Sequence, residues 1–402
     1  MLGFDQHYTL DRFLDRDGTI SVTFYVIMAT AVLFPLTIYV FTKILKVDPK
    51  KDYDEYIKKK TDYINEPFLF WIVLIVGVIC LSLLALYINK IGYIPLVKLF
   101  WREPDLNLAT ERIRIGNGVL INVYVTNILI LLAIPVIAYF CFACAISSKK
   151  ARWYILSVIF FIASIITKTY NFEKSQLLYF LLVYILIYIL YNGGIKKKWI
   201  ISFGILGISS LLGIYTLMDI SYNVSDIYNG VWGRTLFTPV GAFGYNFDLF
   251  PDYIPFLKGL SFNKAILSLL GMDPSMQVRS SRIIMEFYGS QSVYEGTAGV
   301  MNSFFVGEAY ANFGWLGAGF SLIWVGFVFA GLFALAIKMK KSPAMLTLIS
   351  YFTVHLALTT QGGFVDFVYN VSWIIVILSM LLCHFIPFWS LKYSQKKSIQ
   401  KV

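Results

Sequence analysis

Long stretches without Asp, Glu, Lys or Arg recur along the chain, at residues 21–42, 67–89, 115–148, 153–167, 175–195, 199–218, 309–337, 342–365 and 367–391. Most reach the roughly 20 apolar residues that a helix needs to cross about 30 Å of hydrocarbon. They predict nine membrane-spanning helices. Between about residue 219 and residue 312 the chain turns polar in one long break. Pro239, Pro251, Pro255 and Pro274, with many glycines, predict short helices and turns in that break rather than a separate globular domain. Residues 260–271 (LSFNKAILSLLG) predict a helix lying at the membrane interface. The expected architecture is an all-α polytopic membrane bundle, one membrane domain over residues 1–402 with a single large outer loop at 219–312.

Charge orients this pattern. Residues 43–66, 149–152, 196–198, 338–341 and 392–402 hold 20 of the 34 Lys and Arg but only 6 of the 23 acids. Short loops rich in Lys and Arg resist translocation, so these segments are expected on the cytoplasmic side. The N-terminus is then outside and the C-terminus inside. Asp5, Asp11, Asp15 and Asp17 distinguish the first residues from the basic leader of a signal peptide. An outside N-terminus also leaves room for a preceding helix.

Composition narrows the class without changing it. With 58% hydrophobic and 14% charged residues, there is too little polar side chain to cover a soluble particle. The net charge of +11 gathers in juxtamembrane clusters such as Lys58-Lys59-Lys60 and Lys196-Lys197-Lys198, where topology and anionic headgroups account for it. A nucleic-acid partner is not expected. Cys80, Cys141, Cys144 and Cys383 all fall in apolar spans, so no disulfide is expected in the outer loop, and the C-x-x-C of Cys141 and Cys144 lacks further ligands nearby. Asp15-Arg16-Asp17 and Asp52-Tyr53-Asp54 match a metal-holding D-x-D, but each lies in a charge-rich segment where the pattern arises readily. No metal or cofactor is expected.

Candidate chemistry concentrates in the outer break, which carries Arg234, Arg279, Arg282, Glu286 and Glu308. On a helix, Arg279, Arg282 and Glu286 would share one face. Two guanidiniums so placed can clamp a phosphate or diphosphate, and the alternative is an Arg282–Glu286 ion pair. Arg112 and Arg114 precede the third span and converge only on an extended segment, so anchoring at the interface competes with substrate contact. Lys168 and Lys174 flank a short outer connection, where snorkelling competes with function. The run GEAYANFGWLGAG at 307–319 places Glu308, Tyr310 and Asn312 at the mouth of a span whose Gly314, Gly317 and Gly319 allow close helix packing. Glu308 can serve there as a general base or as a helix-capping rim carboxylate. His355, inside a span, is a second proton acceptor or a core histidine.

That run, together with RIRIGNG at 112–118 and EKSQLLYF at 173–180, resembles the O-antigen and capsule repeat-unit polymerases of bacteria, the Wzy type. By architecture the resemblance covers the chain from about residue 65 onward. It implies a glycosyltransferase of the bacterial inner membrane that joins undecaprenyl-diphosphate-linked oligosaccharides at the outer face, a growing chain being moved from its lipid diphosphate to a hydroxyl of the next lipid-linked unit. A chain-length regulator is the partner that such a reaction implies. Under this reading Glu308 is the first choice for base and His355 the second, and Arg279 and Arg282 offset the charge of the leaving diphosphate. Arg112, Arg114, Lys168, Lys174, Arg234, Tyr310 and Asn312 are candidate substrate contacts, and Tyr222, Trp232, Tyr245 and Tyr288 can stack on sugar faces. Family members typically have more than nine spans, a departure that leaves open a truncated N-terminus or a membrane-dipping segment within 235–270. Two other readings stay open: a ligase moving finished glycan, and a flippase or transporter of the lipid-linked unit.

Overall fold

The computed structural model describes the chain except for residues 1–6, 64–66, 101–110, 112–113, 116–121, 172–173, 199–200, 203, 206–208, 210–225, 227, 231–232, 234–235, 295–298 and 400–402. Among the described residues there are helices and no strands, and eight helices are long and apolar enough to cross a membrane. They are α1 (Arg16–Ile44), α2 (Pro67–Ile91), α3 (Val125–Ser148), α4 (Ala151–Thr169), α5 (Ser175–Asn192), α6 (Phe304–Lys338), α7 (Pro343–Gly362) and α8 (Val365–Pro387). With no water in hydrocarbon to bond the backbone, helices satisfy it internally. The expected span at 199–218 lies mostly outside the described residues.

The described residues form two compact units. The first comprises residues 1–48, 212–334 and 355–370. In it α1 starts at Asp15, whose side chain caps the helix by accepting from the Gly18 amide at 3.2 Å. This fixes Asp15 as a cap and accounts for one of the two D-x-D matches. The outer break folds into short helices, at Thr238–Leu249, Lys264–Leu269, Ser280–Tyr288 and Ser290–Tyr294, as its prolines and glycines suggest. Asp248, buried, ties this region to the start of α1. Its carboxylate accepts from the amides of Leu14 (2.8 Å) and Asp15 (3.0 Å), from Thr19 Oγ1 (2.7 Å) and from the Tyr288 hydroxyl (2.5 Å). A buried carboxylate persists only when its lone pairs are used in this way. Tyr288 also stacks on Tyr245 at 3.9 Å, and Tyr245 donates to the Thr9 carbonyl at 2.9 Å. Both tyrosines are buried, so the expected role in stacking on sugars does not fit them, and Tyr222 and Trp232 lie outside the described residues.

The second unit comprises residues 49–211, 335–354 and 371–402. Its centre is aromatic: Tyr139, Phe161, Phe180 and Tyr184 pack with ring centroids 5.1–5.6 Å apart. Gly77 of α2 leaves the space that Phe160 of α4 fills. Lys341 is buried and donates to the carbonyls of Ile57 and Lys59, both at 2.9 Å, while burial lowers the pKa of its ammonium below the usual lysine range. Asp52 and Asp54 sit on the helix Pro49–Lys58, and Cys80, Cys141, Cys144 and Cys383 are unpaired thiols.

Candidate functional site

The site begins with a break in a helix. Gly314 interrupts α6 with φ 64° and ψ −152°, a backbone that side chains with a Cβ rarely adopt. The chain before it, Phe304–Phe313, is a short rod in which residues 305–312 are all buried. Its last carbonyls have no helical partner past the break. The loop supplies them: the amides of Leu257 and Lys258 donate to the carbonyls of Ala311 and Asn312, each at 2.9 Å. After the break, Gly317 lies so close to the Ala309 carbonyl that a Cβ would stand 2.3 Å from it, a contact within the broken segment itself. Gly319 by contrast has open space beside it.

Glu308 and Asn312, spaced i and i+4, fall on one face of the rod. Asn312 is buried and fully used. Its amide donates to Ser261 Oγ at 2.9 Å and to the Glu308 carbonyl at 2.8 Å, and its oxygen accepts from the amides of Gly259 (3.1 Å) and Ser261 (3.4 Å). Asn312 therefore fastens the loop to the rod, which is a structural role in place of the expected substrate contact.

Glu308 is the buried member of a three-residue array centred on Arg279. Its side chain is 0% exposed, and it takes Arg279 Nε on Oε1 at 2.6 Å, with Arg279 Nη2 (3.3 Å) and the Val365 amide (3.1 Å) on Oε2. The other edge of the guanidinium holds Asp366, Nη1 to Oδ1 at 3.1 Å and Nη2 to Oδ2 at 3.0 Å. Arg279 thus makes two forked carboxylate pairs, the geometry that its planar donors suit. Burial alone would lower the Arg279 pKa, but Glu308 and Asp366 outweigh it and hold the guanidinium above its ordinary value, so it stays charged. One guanidinium thus faces two carboxylates. Gly363 lets the chain pass beside it: a Cβ there would lie 2.1 Å from Glu308 Oε2 and 2.6 Å from Arg279 Nη2. The two acids differ in access. Glu308 is sealed, whereas the Asp366 side chain is 35% exposed and Arg279 29%.

This geometry revises the expected roles. Arg279 does not share a helix face with Arg282, because the helix is Ser280–Tyr288 and Arg279 precedes it with extended backbone, φ −86° and ψ 139°. Four of its N–H donors are already on carboxylates, so it is not half of an open diphosphate clamp. Arg282 turns instead to Glu286 at 2.7 Å, in an exposed pair, and reaches the Gly299 carbonyl at 3.5 Å. Glu308, enclosed by three donors, has no path to a sugar hydroxyl as it stands. Tyr310 is buried among the rings of Phe247 (4.8 Å), Phe256 (5.6 Å) and Trp315 (4.7 Å), so it belongs to the core and not to the rim. His355 lies on α7, about two turns or roughly 10 Å along the axis from Gly362, and its carbonyl accepts from Thr359 Oγ1 at 2.8 Å.

The remaining candidates belong to the second unit or fall outside the described residues. Arg114 pairs with Glu111 at 3.0 Å and with the Tyr93 hydroxyl at 3.2 Å, and Tyr93 in turn donates to Glu111. Burial opposes ionisation of Glu111, yet its bonds to Tyr93 and Arg114 prevail and lower its pKa. Lys168 donates to the Leu131 carbonyl at 3.4 Å, within the π-helical turns Val125–Leu132 that open α3. Arg112, Arg234 and the side chain of Lys174 are not among the described residues. Asp366 is the participant that motif reading missed. It is the single charged residue between Ser342 and Leu391, and that isolation was the available signal. Among the described residues no group of three or more His, Cys, Asp or Glu can hold a metal ion.

The fold and this array define a multi-pass helical membrane protein with a carboxylate–guanidinium–carboxylate centre at the head of its broken helix. Compared with protein-family models, with curated proteins and with solved structures, the chain matches none.

Proposed function

We propose that the protein polymerises lipid-diphosphate-linked oligosaccharide units at the outer face of a bacterial inner membrane. The observation that carries the reading is the array itself, a part-exposed carboxylate held by a guanidinium whose other edge is engaged by a second, sealed carboxylate. In glycosyl transfer an acceptor hydroxyl attacks the anomeric carbon, the bond from that carbon to the lipid diphosphate breaks, and the bonding pair leaves with the diphosphate. The hydroxyl proton needs a base. Asp366 is the base in this proposal, and Arg279 and Glu308 are positioning residues that fix its orientation. Glu308 takes this role in place of the one its motif suggested. The half-exposed Arg282 is the cation offered to the leaving diphosphate, and a chain-length regulator is a partner that this activity would take. No metal enters the scheme.

The outer location rests on the charge bias of the loops. A cysteine introduced near Gly194 should resist an impermeant thiol reagent, and one near Ser292 should react in cells with permeabilised outer membranes. Equal labelling at the two positions would overturn the topology.

Arg282 can be separated from its ion pair. An exposed i,i+4 pair contributes only about 0.3–0.5 kcal/mol, so Glu286→Ala should leave polymer length intact while Arg282→Ala shortens or removes it, and Arg282→Lys retains partial activity. If both alanine variants are equally harmful and a charge-swapped double mutant recovers, Arg282 serves its helix alone.

The reaction class is read from surface polysaccharide of a deletion strain on a gel. A single repeat unit on the acceptor core is the expected result. Long chains stranded on carrier lipid would indicate a ligase, and absence of surface sugar a flippase.

A further inference from the structure

Residues 260–278 leave the body of the first unit and return to it as a closed excursion. Its two ends are joined, since the Val278 amide donates to the Leu260 carbonyl at 3.0 Å and Ser261 Oγ donates to the Val278 carbonyl at 3.2 Å. The base is rigid because Ser261 is also bound by Asn312, and the residue after Val278 is Arg279. The tip is rigid too. Asn263 caps the helix Lys264–Leu269 by accepting from the Ile266 amide, and Gly271, at φ 71°, closes it while the Met272 amide donates back to the Leu267 carbonyl at 2.9 Å.

Beside the exposed Ser268, Asp273 and Ser275, this construction presents three large apolar side chains. Leu269 is 86% exposed, Leu270 60% and Met276 57%. An aqueous loop end gains nothing by ordering such side chains in water. Lys264 is exposed at the start of the same helix, where a lysine can extend to headgroups while its stem stays in apolar surroundings. The excursion is also continuous with a lipid-facing surface. Its base packs Phe262 against Phe313, ring centroids 6.2 Å apart, and immediately beyond the Gly314 break α6 exposes Trp315, Leu316 and Phe320. A short helix with an apolar end and a basic flank, fixed beside a transmembrane helix, is suited to the boundary of the bilayer that this helix crosses.

We propose that residues 260–278 form a wedge whose tip, Leu269, Leu270 and Met276, inserts into the lipid bilayer crossed by α6 and so holds the base carrying Arg279 at the membrane surface. The inference rests on the multi-pass fold and not on the polymerase reading. It is tested with Leu269→Cys, and separately Met276→Cys, each introduced into protein lacking the native cysteines, labelled with an environment-sensitive fluorophore and reconstituted into phosphatidylethanolamine/phosphatidylglycerol vesicles. Insertion requires blue-shifted emission at both positions, with quenching by doxyl-labelled lipid severalfold stronger than quenching by aqueous iodide. Quenching by iodide alone would overturn the proposal by placing the tip in water. Protection from both quenchers would overturn it equally, because the tip would then be covered by a second copy or another protein. Neither readout depends on polysaccharide synthesis.

Discussion

Arg279→Ala should sharply reduce the amount of folded protein in the membrane and eliminate polymer. The substitution leaves Glu308, which is 0% exposed, as a carboxylate without its cation. Removing one partner of a buried ion pair costs about 3–5 kcal/mol, most of it the penalty of the charge left behind. Glu308→Gln should be milder for folding, since the amide keeps the packing and can still accept from the Val365 amide, while Arg279 retains Asp366. It should still impair polymer, because the guanidinium loses the partner that sets its orientation. Arg279→Met combined with Glu308→Leu provides the control. Apolar residues of similar size often restore the stability of a buried pair, so the double variant should recover membrane abundance and thermal unfolding in detergent, yet make no polymer. Recovery of polymer along with abundance would reduce the array to a packing element.

Asp366→Asn should give the opposite profile, with near-normal stability and lost activity. Asp366 is 35% exposed, so its half of the array is screened by solvent and contributes at most about 1 kcal/mol to folding. A positioned general base is worth roughly 10²–10⁴ in rate, and an amide cannot take the proton. Chain length on a gel, together with transfer rate in reconstituted vesicles, should therefore collapse while the unfolding temperature stays close to that of the parent. Asp366→Glu should regain part of the rate. Wild-type chain length in Asp366→Asn would exclude it as the base.

The membrane helices were legible because hydrocarbon imposes a length and excludes unpaired backbone. Eight of the expected spans are long helices, although their ends moved. The first span begins at Arg16, not near residue 21, because the Asp15 cap lets charged residues occupy the first turn. The third is described as the long helix Val125–Ser148, which opens with π-helical turns. The chemistry was harder to read. Glu308 and Arg279 both stand out in the sequence, but as separate devices, because separations of 29 positions from Arg279 to Glu308 and 87 from Arg279 to Asp366 hide a contact that only the fold makes. Periodicity also assumed that a helix already contained Arg279, whereas the helix starts one residue later and sends that side chain to another element. Asp366 read as punctuation between two apolar runs. A lone charge between such runs has few places to go except a partner of opposite sign.

The break at Gly314 also bears on how the chain is assembled. During synthesis residues 309–337 present one uncharged apolar run, but only the roughly 36 Å from residue 315 to residue 338 forms the continuous crossing after the break. The rod that precedes it has to be withdrawn into protein, carrying Glu308 with it. A carboxylate is tolerated there only beside its cation, and the guanidinium in turn is complete only when Asp366 has emerged. Arg279 is made first, Glu308 second and Asp366 last. The order of translation therefore sets the order of closure: Glu308 can meet its cation once the rod is withdrawn, and the Val365 amide and Asp366 join last, after α7 has been made and α8 has begun.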